Sequence, residues 1–484
     1  MVRRFARIAC VLLALVLACD RASDRTPAPA ASEPAPAPLE FVGSARCAGC
    51  HASETQRWHG SQHDQAMQEA NAETVLGDFG STRFEHFGST STFFRRDERY
   101  FVNTEGPDAA RADFEIEYTF GVAPLQQYLV RLPGGRLQAL NTAYDTRPRA
   151  AGGQRWFHLY PDEAVPAGDV LHWTKPSQNW NAQCAECHST NLRKGFDLAK
   201  DSYATSWSDL DVGCESCHGP GSRHVAWADA AARGDAPDEH DLGLTLRFRE
   251  SSPARWVFAE GASIAHREPP LATQRELETC APCHARRSTL REGRRAGEPL
   301  LDTHRPALLG PGLYEADGQM RDEVYVYGSF VQSRMYTAGV TCSDCHEPHS
   351  LALRAEGNAL CAQCHRPEVF DAPAHHHHAA GSAGAQCIAC HLPARTYMGI
   401  DVRHDHSFRV PRPDLSVSIG TPNACNDCHT HRSPRWAADA AKRWFPSGRS
   451  GTPHYGVALD AGRRGLPGAE PALAGVAEDP AQPG

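Results

Sequence analysis

Eight times along this chain two cysteines stand three positions apart with a histidine directly after the second. The copies are Cys47, Cys50 and His51; Cys184, Cys187 and His188; Cys214, Cys217 and His218; Cys280, Cys283 and His284; Cys342, Cys345 and His346; Cys361, Cys364 and His365; Cys387, Cys390 and His391; and Cys425, Cys428 and His429. With 18 cysteines and 26 histidines in 484 residues, random placement would give roughly 0.04 copies. Sixteen cysteines are consumed, leaving only Cys10 and Cys19. C-x-x-C-H is the attachment pattern for c-type haem. About one helical turn brings both thiols to one edge of the macrocycle, where they form thioethers, and sets the adjoining histidine under the iron as proximal ligand. Structural zinc does not require a histidine after every second cysteine. Eight identical five-residue units also make a poor disulfide framework. The motifs therefore predict eight covalently attached haems.

Each iron has a second axial position, and eighteen of the 26 histidines lie outside the motifs. Several stand close enough to a motif to be expected distal ligands: His63, His172, His224, His304, His349, His406 and one member of the run 375–378, taken as His378. The eighth ligand is assigned to His158, with His86 and His266 competing. His349 follows His346 by three residues and cannot readily reach the opposite face of the same haem. It is expected to serve another iron within the last four motifs. Met67 and Met398 could offer thioethers, but packing is the stronger reading for both.

The elements that must position these groups are unevenly spread. Residues 1–19 read as a bacterial lipoprotein export signal, with a basic start, a short apolar run and Cys19 as the lipid-bearing residue. Residues 20–40 are a Pro/Ala-rich linker and 41–72 carry the first motif. Residues 73–172 alternate aromatic and β-branched residues with polar ones around a Pro-Gly-Gly turn, and predict a β-rich insertion. Motifs two to four fall in 173–300, a strand-rich connection in 301–340, and the last four motifs in 341–430. Residues 431–484 begin helically and fade into Gly, Pro and Ala. The motif segments are short and weakly periodic. The expected fold class is a multihaem cytochrome c, with short helices and irregular loops wrapped around a packed haem array.

Formal charge is −9, with 49 Lys and Arg against 58 Asp and Glu, and only four of the 49 are lysines. Nothing in this balance suggests a nucleic-acid surface. Arginine clamps carboxylates bidentately, which suits haem propionates; a GC-rich coding sequence would give the same excess.

The stretches CAGCHASETQRWHGSQHDQAM, CESCHGPGSRH and CSDCHEPH followed by CAQCH resemble the multihaem cytochromes of the c-552/c-554-like family, related to octahaem hydroxylamine oxidoreductases. The resemblance implies distal ligation by His63, His224 and His349. PARTYM, DHSFRVPRPDLS and GTPNAC look like a bacterial subgroup in which helical repeats often follow the haem domain. Two departures stand out. All eight motifs end in His, where nitrite-reducing relatives often carry C-x-x-C-K, and no cross-linking tyrosine is identifiable. The expected function is periplasmic electron transfer through mostly bis-histidine haems, exchanging electrons with redox proteins or a quinol-linked membrane donor. The alternative is an oxidoreductase acting on a small nitrogen or sulfur compound at one five-coordinate haem.

Overall fold

The alternating segment folds as a nine-stranded antiparallel sheet: β1 (Met67–Glu69), β2 (Gly80–His86), β3 (Ser89–Arg96), β4 (Arg99–Glu105), β5 (Arg111–Phe120), β6 (Leu125–Leu132), β7 (Arg136–Ala139), β8 (Thr142–Asp145) and β9 (Arg155–His158). The strand order is β2-β3-β4-β5-β6-β8-β9, with β1 added to β5 and β7 to β6. The computed structural model describes residues 38–235, 242–248, 254–480 and 482. The expected signal segment with Cys19, and nearly all of the Pro/Ala-rich linker, lie outside the described residues.

Local chemistry sets the turns. Phe87 and Gly88 both take positive φ, 45° and 84°, the geometry that matches a two-residue hairpin turn to the twist of its strands. In the Pro-Gly-Gly turn between β6 and β7, a Cβ on Gly135 would lie 2.2 Å from the Tyr203 carbonyl oxygen, so only glycine fits. Register shifts between Gly80 and Thr82 and between Ile116 and Tyr118 bend the sheet. It curls until β3 meets β9: the rings of Phe93 and Trp156 stack with centroids 3.5 Å apart.

Side chains alternate across this wall with the period of two that strands impose. Tyr128 and Val130 point inward, into an aromatic core with Phe79, Tyr100 and Trp173. Leu129 and Leu137 point outward against Trp180 and Ala185. Trp180 is fully buried, and removing its ring from water contributes about 3 kcal/mol. Asn181 locks the same joint. Its Oδ1 accepts from Leu137 N at 2.7 Å and its Nδ2 donates to Gly135 O and Thr205 Oγ1. The sheet thus carries the second motif on its outer face.

Beyond the sheet the chain is short helices joined by loops and two-stranded hairpins. Residues 301–340 differ from the strand-rich expectation. DEVYVYGSF supplies one isolated bridge, Ala285 with Tyr325, and then helices Tyr327–Phe330 and Arg334–Thr337. Tyr325 takes φ 59°, which breaks any strand there. Val324 is instead buried against Tyr314 and Met320. At the C-terminal end three helices follow one another, Pro434–Trp444, Tyr455–Arg463 and Ala469–Ala477, extending past the point where the composition fades. Among the described residues no helix is long and apolar enough to cross a membrane.

Candidate haem centres

Each motif closes a helical turn. In the first, His51 N donates to Cys47 O at 3.0 Å, and His346, His365 and His429 repeat the bond to Cys342, Cys361 and Cys425. Motifs three and seven are the helices Cys214–His218 and Cys387–His391; motif two spans Ala185–His188 and motif four ends Arg275–His284. The sixteen motif cysteines are all free. Capping fixes where turns begin. Thr341 and Asp344 form a reciprocal capping box on Cys342–Cys345, and Asn423 accepts from Asn426 N ahead of Ala424–Cys428.

The motifs pack in a definite order. Thiols meet as Cys47 with Cys214, Cys187 with Cys283, Cys280 with Cys342, and Cys361 with Cys387. Cys217 also neighbours Cys283, Cys345 neighbours Cys364, and Cys390 neighbours Cys428. The resulting line runs one, three, four, five, six, seven, eight, and motif two branches from four.

Several of these joints are held by polar residues within the motifs or a few positions before them. Glu215, inside motif three, accepts from Val42 N, Gly43 N and Gly221 N, tying motif one and the His224 helix to itself. Glu276 accepts from Ser343 N and Oγ, joining motif four to five. Asn358 accepts from Cys387 N at 2.9 Å, joining six to seven. Glu186, inside motif two, pairs with Arg287 just past motif four. Burial raises its pKa, but the His304 hydrogen bond and the Arg287 charge win and hold the carboxyl down at about 2. An acidic residue within a motif that must be buried was the available signal.

The axial geometry can be tested directly. Two metal–nitrogen bonds of about 2.0 Å on opposite sides of one iron, plus ~1.1 Å from each nitrogen to its ring centre, require ring centroids about 6.2 Å apart. His51 and His224 stand at 6.1 Å, His63 and His284 at 6.3 Å, His375 and His391 at 6.2 Å, and His378 and His429 at 6.2 Å. The residues therefore fit a haem held from both faces. His349 is the first charged neighbour of His218, and His406 neighbours His346. His349, expected to serve an iron of the last four motifs, lies near His218 of motif three.

Tautomers agree with this arrangement. His224 Nδ1 lies 2.9 Å from Leu242 O, His391 Nδ1 2.7 Å from Arg409 O, and His406 Nδ1 2.9 Å from His404 O. A carbonyl only accepts, so each Nδ1 carries the proton and Nε2 keeps the lone pair for a metal. Burial pushes His63 and His406 downward and His284 to about 4, so these rings are neutral.

Three expected ligands are placed elsewhere. His304 is 0 % exposed with Nε2 3.0 Å from Glu186 Oε1 and Nδ1 2.8 Å from Thr303 Oγ1, so neither nitrogen is free. Its proximity to motif four in sequence serves the Glu186 clamp. His158, at the end of β9, and His172, in the turn after it, line a cavity in the curled sheet that no motif residue lines. His375 was grouped with its neighbours by sequence; residues 373–376 form a helical turn, and the run then reverses at His377, φ 55°, which sends His375 and His378 to different motifs. Among the described residues no histidine outside the motifs acts on His188 or His365. The ring nearest His188 is Phe120, edge-on at 5.5 Å.

Comparison with known proteins falls on these same elements. A model of the doubled CXXCH motif matches residues 335–370, and a model of cytochrome c554 and c-prime matches 46–81 and 166–219. Together they cover less than half of the chain. Nothing among curated proteins matches it. The crystal structure of the outer cell wall cytochrome OcwA superposes with a TM-score of 0.52 at 16% identity, over 84% of this chain and 87% of that one. That likeness concerns the fold. The matched motifs lie on the helical turns whose thiols and imidazoles fit the group, and on that ground the chain is a multihaem c-type cytochrome.

Proposed function

We propose that this chain is an exported, lipid-anchored electron-transfer cytochrome with eight covalent haems, exchanging electrons with redox proteins or a quinol-linked membrane donor. The observation that carries the reading is the set of four imidazole pairs at 6.1 to 6.3 Å. Each bound haem would supply a one-electron carrier. The chain's own residues do the rest: thiols tether, paired neutral imidazoles favour low potentials, and the Glu215, Glu276 and Asn358 clamps hold neighbouring motifs together.

A second reading keeps the kinship with octahaem hydroxylamine oxidoreductases and assigns catalysis on a small nitrogen or sulfur compound to one open haem. Phe120, edge-on to His188 at 5.5 Å on the branch of the line, favours it. One experiment weighs both. Mass spectrometry of the holoprotein should show eight haems, and electron paramagnetic resonance of the ferric protein should show six low-spin and two high-spin centres. Two open centres that bind cyanide but turn over no nitrogen or sulfur substrate leave the carrier reading standing, and turnover at one of them replaces it. Fewer than seven haems would overturn both.

Attachment rests on Cys19. Cys19→Ala should move the protein from membranes to the soluble periplasmic fraction with unchanged haem content, since bacterial lipoproteins are held by several acyl chains. Retention of the variant on membranes would end the anchoring proposal.

A further inference from the structure

We propose that the curled sheet holds a binding site separate from the haem motifs, a cavity of about 360 Å³ that takes a small aromatic molecule carrying hydroxyl donors, of the phenol or dihydroxybenzene class. The inference does not depend on how the haems are ligated. Phe93, Val102, Leu140 and Trp173 give the cavity apolar and aromatic walls. Its volume is in the range of small-molecule sites and suits one substituted ring.

The polar atoms on these walls offer one unpaired buried acceptor beside imidazole and hydroxyl donors. Asn141 is 5 % exposed, its Nδ2 donates to Leu171 O at 2.8 Å, and its Oδ1 has no partner. A buried acceptor left unpaired costs stability unless something donates to it. His86 Nε2 donates to Glu163 O at 2.8 Å. Tyr160 N donates to His158 Nδ1 at 3.1 Å and Thr174 N to His172 Nδ1 at 3.5 Å, so in each neutral ring Nε2 carries the proton and is a donor. Burial keeps both rings neutral, His158 at about 4. His86 and His158 stack at 3.8 Å, so their edges form one surface.

A ligand here must donate to Asn141 Oδ1, accept from imidazole N–H and present a flat apolar body. A dihydroxybenzene does all three. A sugar would set hydroxyls against the apolar faces of Phe93, Leu140 and Trp173. The rim agrees: Phe87, on the tight turn between β2 and β3, is 63 % exposed beside the opening, where an aromatic entrant would meet it first.

The test is titration calorimetry on the full-length holoprotein, kept reduced under argon so that no electrons exchange with the probe. Resorcinol should bind with one-to-one stoichiometry. Its dimethyl ether, equal in shape but without donors, should bind at least about 100-fold more weakly. Asn141→Leu should weaken resorcinol about tenfold or more. Because that change also strands the Leu171 carbonyl, a second variant, Ser89→Trp at the start of β3, plugs the opening from outside and should abolish binding with an unaltered haem spectrum. Absence of resorcinol binding, equal binding of the ether, tighter binding of glucose, or undiminished binding by Ser89→Trp would each overturn the proposal.

Discussion

Glu215→Ala is expected to destabilise the protein by about 3 kcal/mol, because it strips partners from three half-buried backbone N–H groups, each near the low end of the about 1–3 kcal/mol that an unpaired buried donor costs. The carboxylate is 3 % exposed and accepts from Val42 N at 2.9 Å, Gly43 N at 2.8 Å and Gly221 N at 2.7 Å. No other side chain is placed to replace it, since Ser44 and Asp209, the nearby polar pair, are bonded to each other. Val42 and Gly43 lead into the turn that carries Cys47, and Gly221 opens the helix that carries His224. One carboxylate therefore sets both sides of the first haem site. Chemical unfolding followed by haem absorbance should show the loss, with Glu215→Gln intermediate because its amide nitrogen would face donors. A change below about 1 kcal/mol would mean that water takes the place of the carboxylate and that the clamp is incidental.

The motifs were legible because their constraint is local: one helical turn fixes Cys47, Cys50 and His51 whatever the rest of the chain does. The sheet was legible for the same reason, its period of two being written into FEIEYTF and LQQYLVRL. Residues 322–336 have the same composition and fold otherwise, since an aromatic and β-branched run becomes a strand only where another edge pairs with it. Here the backbone of Val324 and Val326 is spent on Arg286 and His284.

Distal histidines were legible by type and not by partner. His63 precedes His284 by most of the haem-bearing chain, and spacing cannot encode a contact of that kind. His304 shows the converse. A histidine near a motif in sequence met a buried carboxylate first, and both nitrogens were taken. The residues that link motifs, Glu215 and Glu186 between the cysteines and Glu276 four residues before Cys280, have partners that no local spacing encodes, since burial makes each acid take the donor that the fold brings to it.

His63→Ala should leave every haem attached and convert one from low-spin to high-spin. Attachment depends on Cys280 and Cys283, which the substitution does not touch, whereas the ring opposite His284 at 6.3 Å is removed outright. Loss of one imidazole should raise that centre's potential by about 0.1–0.2 V, a fraction of the roughly 0.8 V that axial ligands span. The consequence for throughput follows from position. Motif four is the junction, its thiols meeting Cys187, Cys217 and Cys342 of three other motifs, so a carrier detuned there slows every route between motif one and motifs five to eight. Reduction kinetics should fall about tenfold or more, since a 0.1 V uphill step corresponds to about 2.3 kcal/mol per electron. Added imidazole should restore the low-spin count, because the vacated space is the size of the ring removed. His304→Gln is the matched control: it sits by the neighbouring motif, fully buried against Glu186, yet should leave the spin count unchanged. If His304→Gln produces the new high-spin centre and His63→Ala does not, the pairing of His63 with His284 is wrong and the junction must be assigned to another ligand.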